Sequence, residues 1–239
     1  MQINFGVGMN KKTLVVMGNG PSLKDVNFSD LNGLDTFGLN SAYRAYERIN
    51  WWPTYHGCFD YIMTDNQQSD FVDLIKTKKI KKHFYIRNIS NEDNFQYINL
   101  MPYGESKKIN TKIEDFKNFN DNGNSGANAC SVGICLGYEK IILLGVDCNY
   151  VEKIPESSEV KSGVLSLKET PKENPNYWFP DYQRAGDIYN IPAGLSFHMP
   201  TWNLLAYRAC QVGVQIINCS PITNLRGFKR MTLREALEC

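Results

Sequence analysis

The sequence predicts an α/β protein built as one Rossmann-like domain, with a mostly parallel sheet and helices on both faces. Two observations carry that expectation. Short apolar runs alternate with helically spaced segments along nearly the whole chain, the order that produces a parallel sheet with crossover helices. The strongest runs, "TLVVM" and "KIILL", are apolar without alternation, as strands covered on both faces are. A length of 239 residues, 42% hydrophobic and 12% aromatic, is enough for a substantial core.

The first strand, 14–17, runs into Gly18-Asn19-Gly20-Pro21-Ser22-Leu23. Two glycines around an asparagine suggest a turn with φ > 0, or a backbone that something must approach closely, and a phosphate is the usual candidate. "DTFGLNSAY" (35–43) reads as a second strand ending at Asn40, with "YRAYERI" helical after it. "PTYHGCFD" (53–60) is a third strand ending at Asp60, followed by helical "SDFVDLIKTKK". "KHFYIRN" is a fourth strand. "SGANACSVGICLGY" (125–138) reads as a buried helix with Ser125 placed as its cap. "KIILLGVD" is a buried strand leading to Asp147. "TWNLLAYRACQVG" is helical, "VQIINCS" is the last strand, and "TLREALE" is a closing helix. In such sheets ligands bind beyond the carboxyl ends of the strands. Gly18, Asn19, Gly20, Asn40, Asp60, Asp147 and Ser220 occupy those ends.

Residues 150–195 break the alternation and hold five of the ten prolines, with Tyr177, Trp178, Tyr182 and Tyr189. An insertion of this length is normally functional or disordered. Its aromatics favour a lid over the strand ends, within a single domain covering 1–239.

Lys+Arg 26 against Asp+Glu 25 leaves a net charge of +1, which makes no electrostatic case for nucleic acid. The lysine run "KTKKIKKH" reads as a solvated helix end, with contact to an anionic membrane face as the alternative. Seven cysteines without a Cys-x-x-Cys pair read as buried thiols of a reducing compartment. With no membrane-length apolar run, the expected location is the cytoplasm, including the inner face of its membrane. "GVGMNKKT" (6–13) imitates a phosphate-binding loop, but Lys11 takes the second glycine position and the segment precedes its strand, so it is set aside.

Several stretches together resemble one family. "GNGPSL", "FGLNSAY", "NSGANACSVGICLGYEKIILLGVD" and "FHMPTWNLLAYRACQVGVQIINCSP" are collinear with, and similar to, segments of the bacterial sialyltransferases of glycosyltransferase family 42. The resemblance implies a GT-A-type variant of the fold. It also implies metal-free, inverting transfer of a 2-keto sugar acid (sialic acid, Kdo or a related nonulosonic acid) from a CMP-activated donor to a glycan acceptor. No cofactor is implied, and a homo-oligomer is compatible with it. Residue by residue, the resemblance puts Gly18, Asn19, Gly20 and Ser22 at the sugar-phosphate turn, and Asn40 and Asp60 beside the donor sugar. It puts Ser125 and Gly126 at the donor carboxylate or nucleotide, and Asp147 near the ribose. His198 is implied as the base. Asn122 replaces an arginine of the family, Asp60 an asparagine, and Leu195 a tyrosine. Asn149 replaces a phosphate-binding tyrosine, with Tyr150 next to it. These departures bear on which sugar is carried.

The chemistry agrees with this assignment. Displacing CMP from a 2-keto sugar needs positioning, stabilisation of phosphate charge and removal of the acceptor proton. A neutral histidine can take that proton near pH 7. Of the three histidines, His56 is mid-strand and His83 adjoins the lysine run, both expected as satisfied core or surface residues, which leaves His198. Asp60 and Asp147 read equally as helix caps or as ligand contacts. Two rivals stay open: a magnesium-dependent pyrophosphokinase using ATP, whose family shares the GxGPSL turn, and a non-catalytic nucleotide-sugar-binding module.

Overall fold

The computed structural model describes residues 12–104, 108–151, 154–191 and 194–239. The first eleven residues, which hold most of the phosphate-loop look-alike, lie outside the described residues. Strands β1 (Thr13–Met17), β2 (Asp35–Leu39), β3 (Tyr55–Cys58), β4 (Lys82–Tyr85) and β5 (Phe95–Tyr97) come first, followed by short β6 (Leu100–Met101) and β7 (Phe119–Asn120). Then come β8 (Lys140–Leu144), β9 (Ser157–Lys161), β10 (Val164–Leu167), β11 (Ile188–Asn190), β12 (Gln215–Asn218) and β13 (Lys229–Arg230). The helices are α1 (Tyr43–Tyr46), α2 (Tyr61–Asn66), α3 (Gln68–Lys76), α4 (Ser125–Cys135), α5 (Leu195–Gln211) and α6 (Leu233–Glu238).

Eight strands form one sheet in the order β13-β12-β8-β1-β2-β3-β4-β5. Every pairing in it is parallel. The chain winds from β1 through β2 to β5 on one side and returns to β8 on the other. The topological switch therefore lies between β1 and β8, where such sheets open a ligand crevice.

Successive residues of β1 serve opposite faces, as the period of two requires. Leu14 and Val16 pack with Phe37, Leu143, Ala129, Val132, Trp202 and Leu205 on the side of α4 and α5. Val15 and Met17 pack with Ile142, Leu144, Leu31, Ala45, Trp178 and Tyr182 on the other. The apolar strand runs of the sequence are thus apolar because both faces are covered.

Within 154–191 an antiparallel sheet, β11-β10-β9, forms around Ile154, Leu165, Leu167 and Tyr189. The centre of this segment is not a loose flap: Trp178, Phe179 and Tyr182 are buried in the core of the domain. Arg44 of α1 pins the segment by bonding both carboxylate oxygens of Asp187 and the Tyr182 carbonyl. No helix among the described residues is long and apolar enough to cross a membrane.

The lysine run splits into distinct roles. Lys78 pairs with Glu92 and Asp93, and Lys79 with Glu47. Five cysteines are buried free thiols, whereas Cys210 and Cys239 are exposed, against the expectation of burial for all seven.

Candidate active site

A cavity of about 620 Å³ opens beyond the carboxyl ends of the strands. Its walls include Gly18 and Asn19 after β1, Asn40 after β2, Asp60 after β3, Ser125 and Gly126 of α4, Tyr150, and His198 of α5. Gly20, Ser22, Asp147 and Asn149 do not line it.

The two glycine turns are packed against each other. Gly18 N–H donates to the Leu144 carbonyl at 2.7 Å, and Gly20 N–H to the Gly145 carbonyl at 2.8 Å. Neither glycine after β1 has a positive φ; Gly145 does, at 66°. What requires glycine at 18 and 20 is proximity. A Cβ on Gly18 would lie 2.3 Å from the Gly145 oxygen, and one on Gly20 would lie 2.4 Å from Asp147 Cγ. The neighbour expected to be a phosphate is, at Gly20, a carboxylate of the chain itself. Asp147 accepts from both the amide and the hydroxyl of Ser22. Burial pushes its carboxyl upward, opposed by those two bonds. Asp147 and Ser22 thereby tie β8 to β1. Ser220 acts similarly, accepting from the Val146 amide.

Asn19, between the two glycines, reaches toward the end of β2. Its Nδ2 donates to the Leu39 carbonyl at 3.1 Å and to the Tyr182 hydroxyl at 3.2 Å. Asn40 follows β2 with φ 56°, in the left-handed region asparagine tolerates. Its carbonyl bonds His56 Nε2 at 3.0 Å. A carbonyl only accepts, so Nε2 carries the proton and Nδ1 accepts from Tyr85, 2.9 Å away. The side-chain oxygens Asn19 Oδ1 and Asn40 Oδ1 are buried, yet neither accepts a hydrogen bond from a described residue. Two such acceptors in the lining of a cavity call for a ligand with N–H or O–H groups, or for water.

Asp60 is the helix cap, one of the two roles that the sequence left open, and it also lines the cavity. Its Oδ1 caps α2 by accepting from Met63 N–H, and its Oδ2 accepts from Asn190 of β11 at 2.9 Å. Ser125 is not the cap of α4: Asn124 is, accepting from Ala127 N–H at 2.8 Å. Ser125 and Gly126 are instead the first helical residues, whose N–H groups and dipole suit an anion. Gly126 is small of necessity, since a Cβ there would approach Trp202 to 2.9 Å.

His198 lies inside α5, not ahead of it. Pro200 suggests a helix start at Thr201, but the helix runs through it from Leu195. The His198 ring packs against Tyr150, with centroids 5.4 Å apart. Asn124 Nδ2 donates to Thr201 Oγ1 at 2.9 Å, and that hydroxyl donates to the His198 carbonyl at 2.8 Å. One hydrogen-bonded chain thus fixes the start of α4 against the imidazole-bearing turn of α5. Tyr150 stands in the wall where its neighbour Asn149 does not. Leu195 is not part of the lining. Asn122 is buried behind the site and accepts from Arg208 at 2.8 Å.

The sequence did not single out Asp121, Tyr177, Tyr182, Tyr189, Asn190 or Phe197 as site residues, and all six line the cavity. The aromatic richness of 150–195 was the available signal for the tyrosines; Asp121 has none. Burial pushes the Cys148 thiol in the wall up to about 12, so it stays protonated and is a poor nucleophile. No cluster of three metal-ligating side chains occurs among the described residues.

No protein-family profile matches the chain, and no curated protein sequence does. Solved structures are similar in fold. The sialyltransferase CstII from Campylobacter jejuni, in complex with cytidine-5'-monophosphate as a substrate analogue, superposes with a TM-score of 0.53 at 16% identity. The alignment covers 94% of this chain and 86% of that one. The same sialyltransferase with a trisaccharide acceptor and CMP gives 0.52 at 17% identity, covering 92% and 86%. The MAf glycosyltransferase from Magnetospirillum magneticum AMB-1 gives 0.51 at 12% identity, covering 92% of this chain and 33% of that longer one. At these identities the likeness is one of fold.

Proposed function

We propose that this chain is a sialyltransferase-type glycosyltransferase: it transfers a 2-keto sugar acid from a CMP-activated donor to a glycan acceptor, inverting and without a metal ion. The observation that carries the reading is the convergence on one cavity of a helix N-terminus, two buried amide oxygens without partners, and an imidazole. The fold it shares with a CMP-bound sialyltransferase supports the same reading.

In this reading the first N–H groups of α4, at Ser125 and Gly126, meet an anionic group of the donor. Asn19 and Asn40 take hydrogen bonds from its hydroxyl or amino groups. Tyr150 and the tyrosines of 150–195 supply hydroxyl donors to phosphate. His198 accepts the proton of the attacking hydroxyl while CMP departs with the electron pair of the glycosidic bond. Segment 150–195 acts as the lid of a single domain, its β11 edge joined to Asp60 through Asn190.

The pyrophosphokinase alternative needs carboxylates free to hold magnesium in the site. Asp60 and Asp147 are the strand-end carboxylates that could supply them, and Asp147 is committed to Ser22 outside the cavity. The deciding experiment screens CMP-activated sugars by thermal shift and then by CMP release, each with excess chelator. Turnover that survives chelation is expected. ATP binding that requires magnesium, with no response to any CMP-sugar, would replace this reading by the pyrophosphokinase.

A further inference from the structure

The cavity has two chemically different sides. Asn19, Asn40 and the start of α4 offer polar groups. Toward Phe197 the lining becomes aromatic and acidic. Tyr61 and Phe197 both line the cavity while remaining 40% and 43% exposed. Tyr103, 44% exposed, packs on Phe197 with ring centroids 6.2 Å apart. Phe197 in turn meets His198 edge-on at 5.8 Å. Arg87 lies over the Tyr61 ring at 4.4 Å and is itself held by both oxygens of Asp65.

Asp121 stands in this region. Its Oδ1 accepts from Gly123 N–H at 2.7 Å and from Asn128 Nδ2 at 2.9 Å. Its Oδ2 accepts from no described residue. A carboxylate fixed through one oxygen presents the other as an oriented acceptor. Gly123, between the two features, has φ 81°, and a Cβ there would lie 2.6 Å from Thr201 Cγ2 and 3.1 Å from the Tyr103 ring.

We propose that Tyr103, Phe197 and Asp121 form the acceptor subsite, and that it takes an uncharged pyranoside in preference to an acidic one. The inference rests on the glycosyltransferase reading and adds the acceptor class to it. A sugar ring has an apolar C–H face that lies well on an exposed aromatic, and hydroxyls at its rim that donate to a carboxylate. Stacking on Phe197 puts such a hydroxyl beside His198, the next residue. Charge sets the preference. Asp60 and Asp121 line the cavity, and no lysine or arginine among the described residues does. A nucleotide-activated sugar acid brings further negative charge. In a partly closed site with low effective dielectric, an additional carboxylate on the acceptor meets repulsion from Asp60, Asp121 and the donor.

The test uses the full chain saturated with CMP and observes methyl β-galactoside, methyl N-acetyl-β-glucosaminide and methyl β-glucuronide by saturation-transfer NMR. Binding of a neutral glycoside about 10-fold tighter than the glucuronide is expected. Phe197→Leu keeps apolar volume without the ring face and should weaken neutral glycosides about 3- to 10-fold. Asp121→Asn keeps the fixed Oδ1 and replaces the open oxygen by an amide. It should weaken neutral glycosides about 10-fold and narrow their advantage over the glucuronide. Equal binding of neutral and acidic glycosides, or no response to either substitution, overturns the subsite. A variant that also loses CMP affinity overturns the division of the cavity on which the subsite depends. If the wild type fails to bind CMP at all, the glycosyltransferase reading fails first, and the two failures are distinguishable.

Discussion

Two regions carry the features that make the sequence look like a ligand-binding protein, and they behave differently. The paired turns after β1 and β8 contain the small and polar residues Gly18, Gly20, Ser22, Gly145 and Asp147. Most of that chemistry is spent on each other: two backbone hydrogen bonds, a carboxylate held by Ser22, and glycines that admit a neighbouring chain. The region formed by the starts of α4 and α5 and by 150–195 has no comparable signature, yet it supplies most of the cavity's polar hydroxyls and its imidazole. A conspicuous turn shows that something lies close to the backbone. It does not show whether that neighbour is a ligand or the protein.

The largest effect that would sharpen the comparison belongs to the second region. A general base contributes about 10²–10⁴-fold. His198→Ala should lower kcat within that range while leaving CMP-sugar affinity within a few-fold. A variant that transfers sugar at nearly the wild-type rate would move the base elsewhere and return Asp60 and Asp121 to consideration.

Next is the attachment of 150–195. The side chains of Arg44 and Asp187 are 4% and 10% exposed. Removing one partner of a buried pair typically costs about 3–5 kcal/mol, because the other charge is left uncompensated. Arg44→Met should therefore lower stability by that order in denaturant unfolding. It should also speed hydrogen exchange in 177–191 more than in β1 or β8. Since Tyr182 bonds both Arg44 and Asn19, added CMP should slow that exchange in the wild type. Uniform acceleration across the domain would mean that 150–195 belongs to the core and is no lid.

The turn region predicts a smaller loss of the opposite kind. A valine at position 20 would drive its Cβ into the Asp147 carboxylate, a form of overpacking worth about 1–3 kcal/mol. Gly20→Val should lower the urea midpoint, and any loss of CMP-sugar affinity should track that instability. Full stability with donor binding abolished would restore the phosphate to this turn and break the contrast between the regions.

How much of this was legible depends on what each feature depends on. The sheet was legible because burial on both faces writes itself into consecutive apolar residues such as Ile141, Ile142 and Leu143. Strand ends followed from the same runs. β5 and β13 escaped because three- and two-residue edge strands carry no periodicity. The helix carrying His198 begins earlier than its sequence pattern suggests, because Pro200 reads as a boundary although it removes only one helical hydrogen bond near the first turns. Ser125 reads as a cap since serine is a strong one, but Asn124 beside it is as strong and has the extended backbone a cap needs. Asp121 was invisible. Its place in the lining goes with the bonds that Gly123 and Asn128 make to its Oδ1, and no spacing announces those.

The last effect, which appears only as the pH falls, concerns two histidines that the sequence classed together as satisfied. His56 is satisfied, by Tyr85 and Asn40. His83 is fully buried, and neither ring nitrogen bonds a described residue. Burial lowers both pKa values to about 3, assisted for His56 by His83 and for His83 by Lys78. In the unfolded chain each titrates near 6.5. The folded state thus holds both rings neutral where the unfolded state binds protons. Stability is complete above about pH 6.5 and falls as the pH drops from there toward 3, by at most about 1.4 kcal/mol per pH unit for each histidine. Urea unfolding at pH 7.5, 6.0 and 5.0 should show that slope. His83→Phe, which keeps an aromatic ring of similar width and has nothing to protonate, should roughly halve it. A wild type equally stable at pH 5 and pH 7.5 would mean that the rings ionise in place and that both sites are wetter than their burial implies. His198 borders the cavity instead, with its ring against Tyr150. That separates the histidine of the site from the two that hold the sheet.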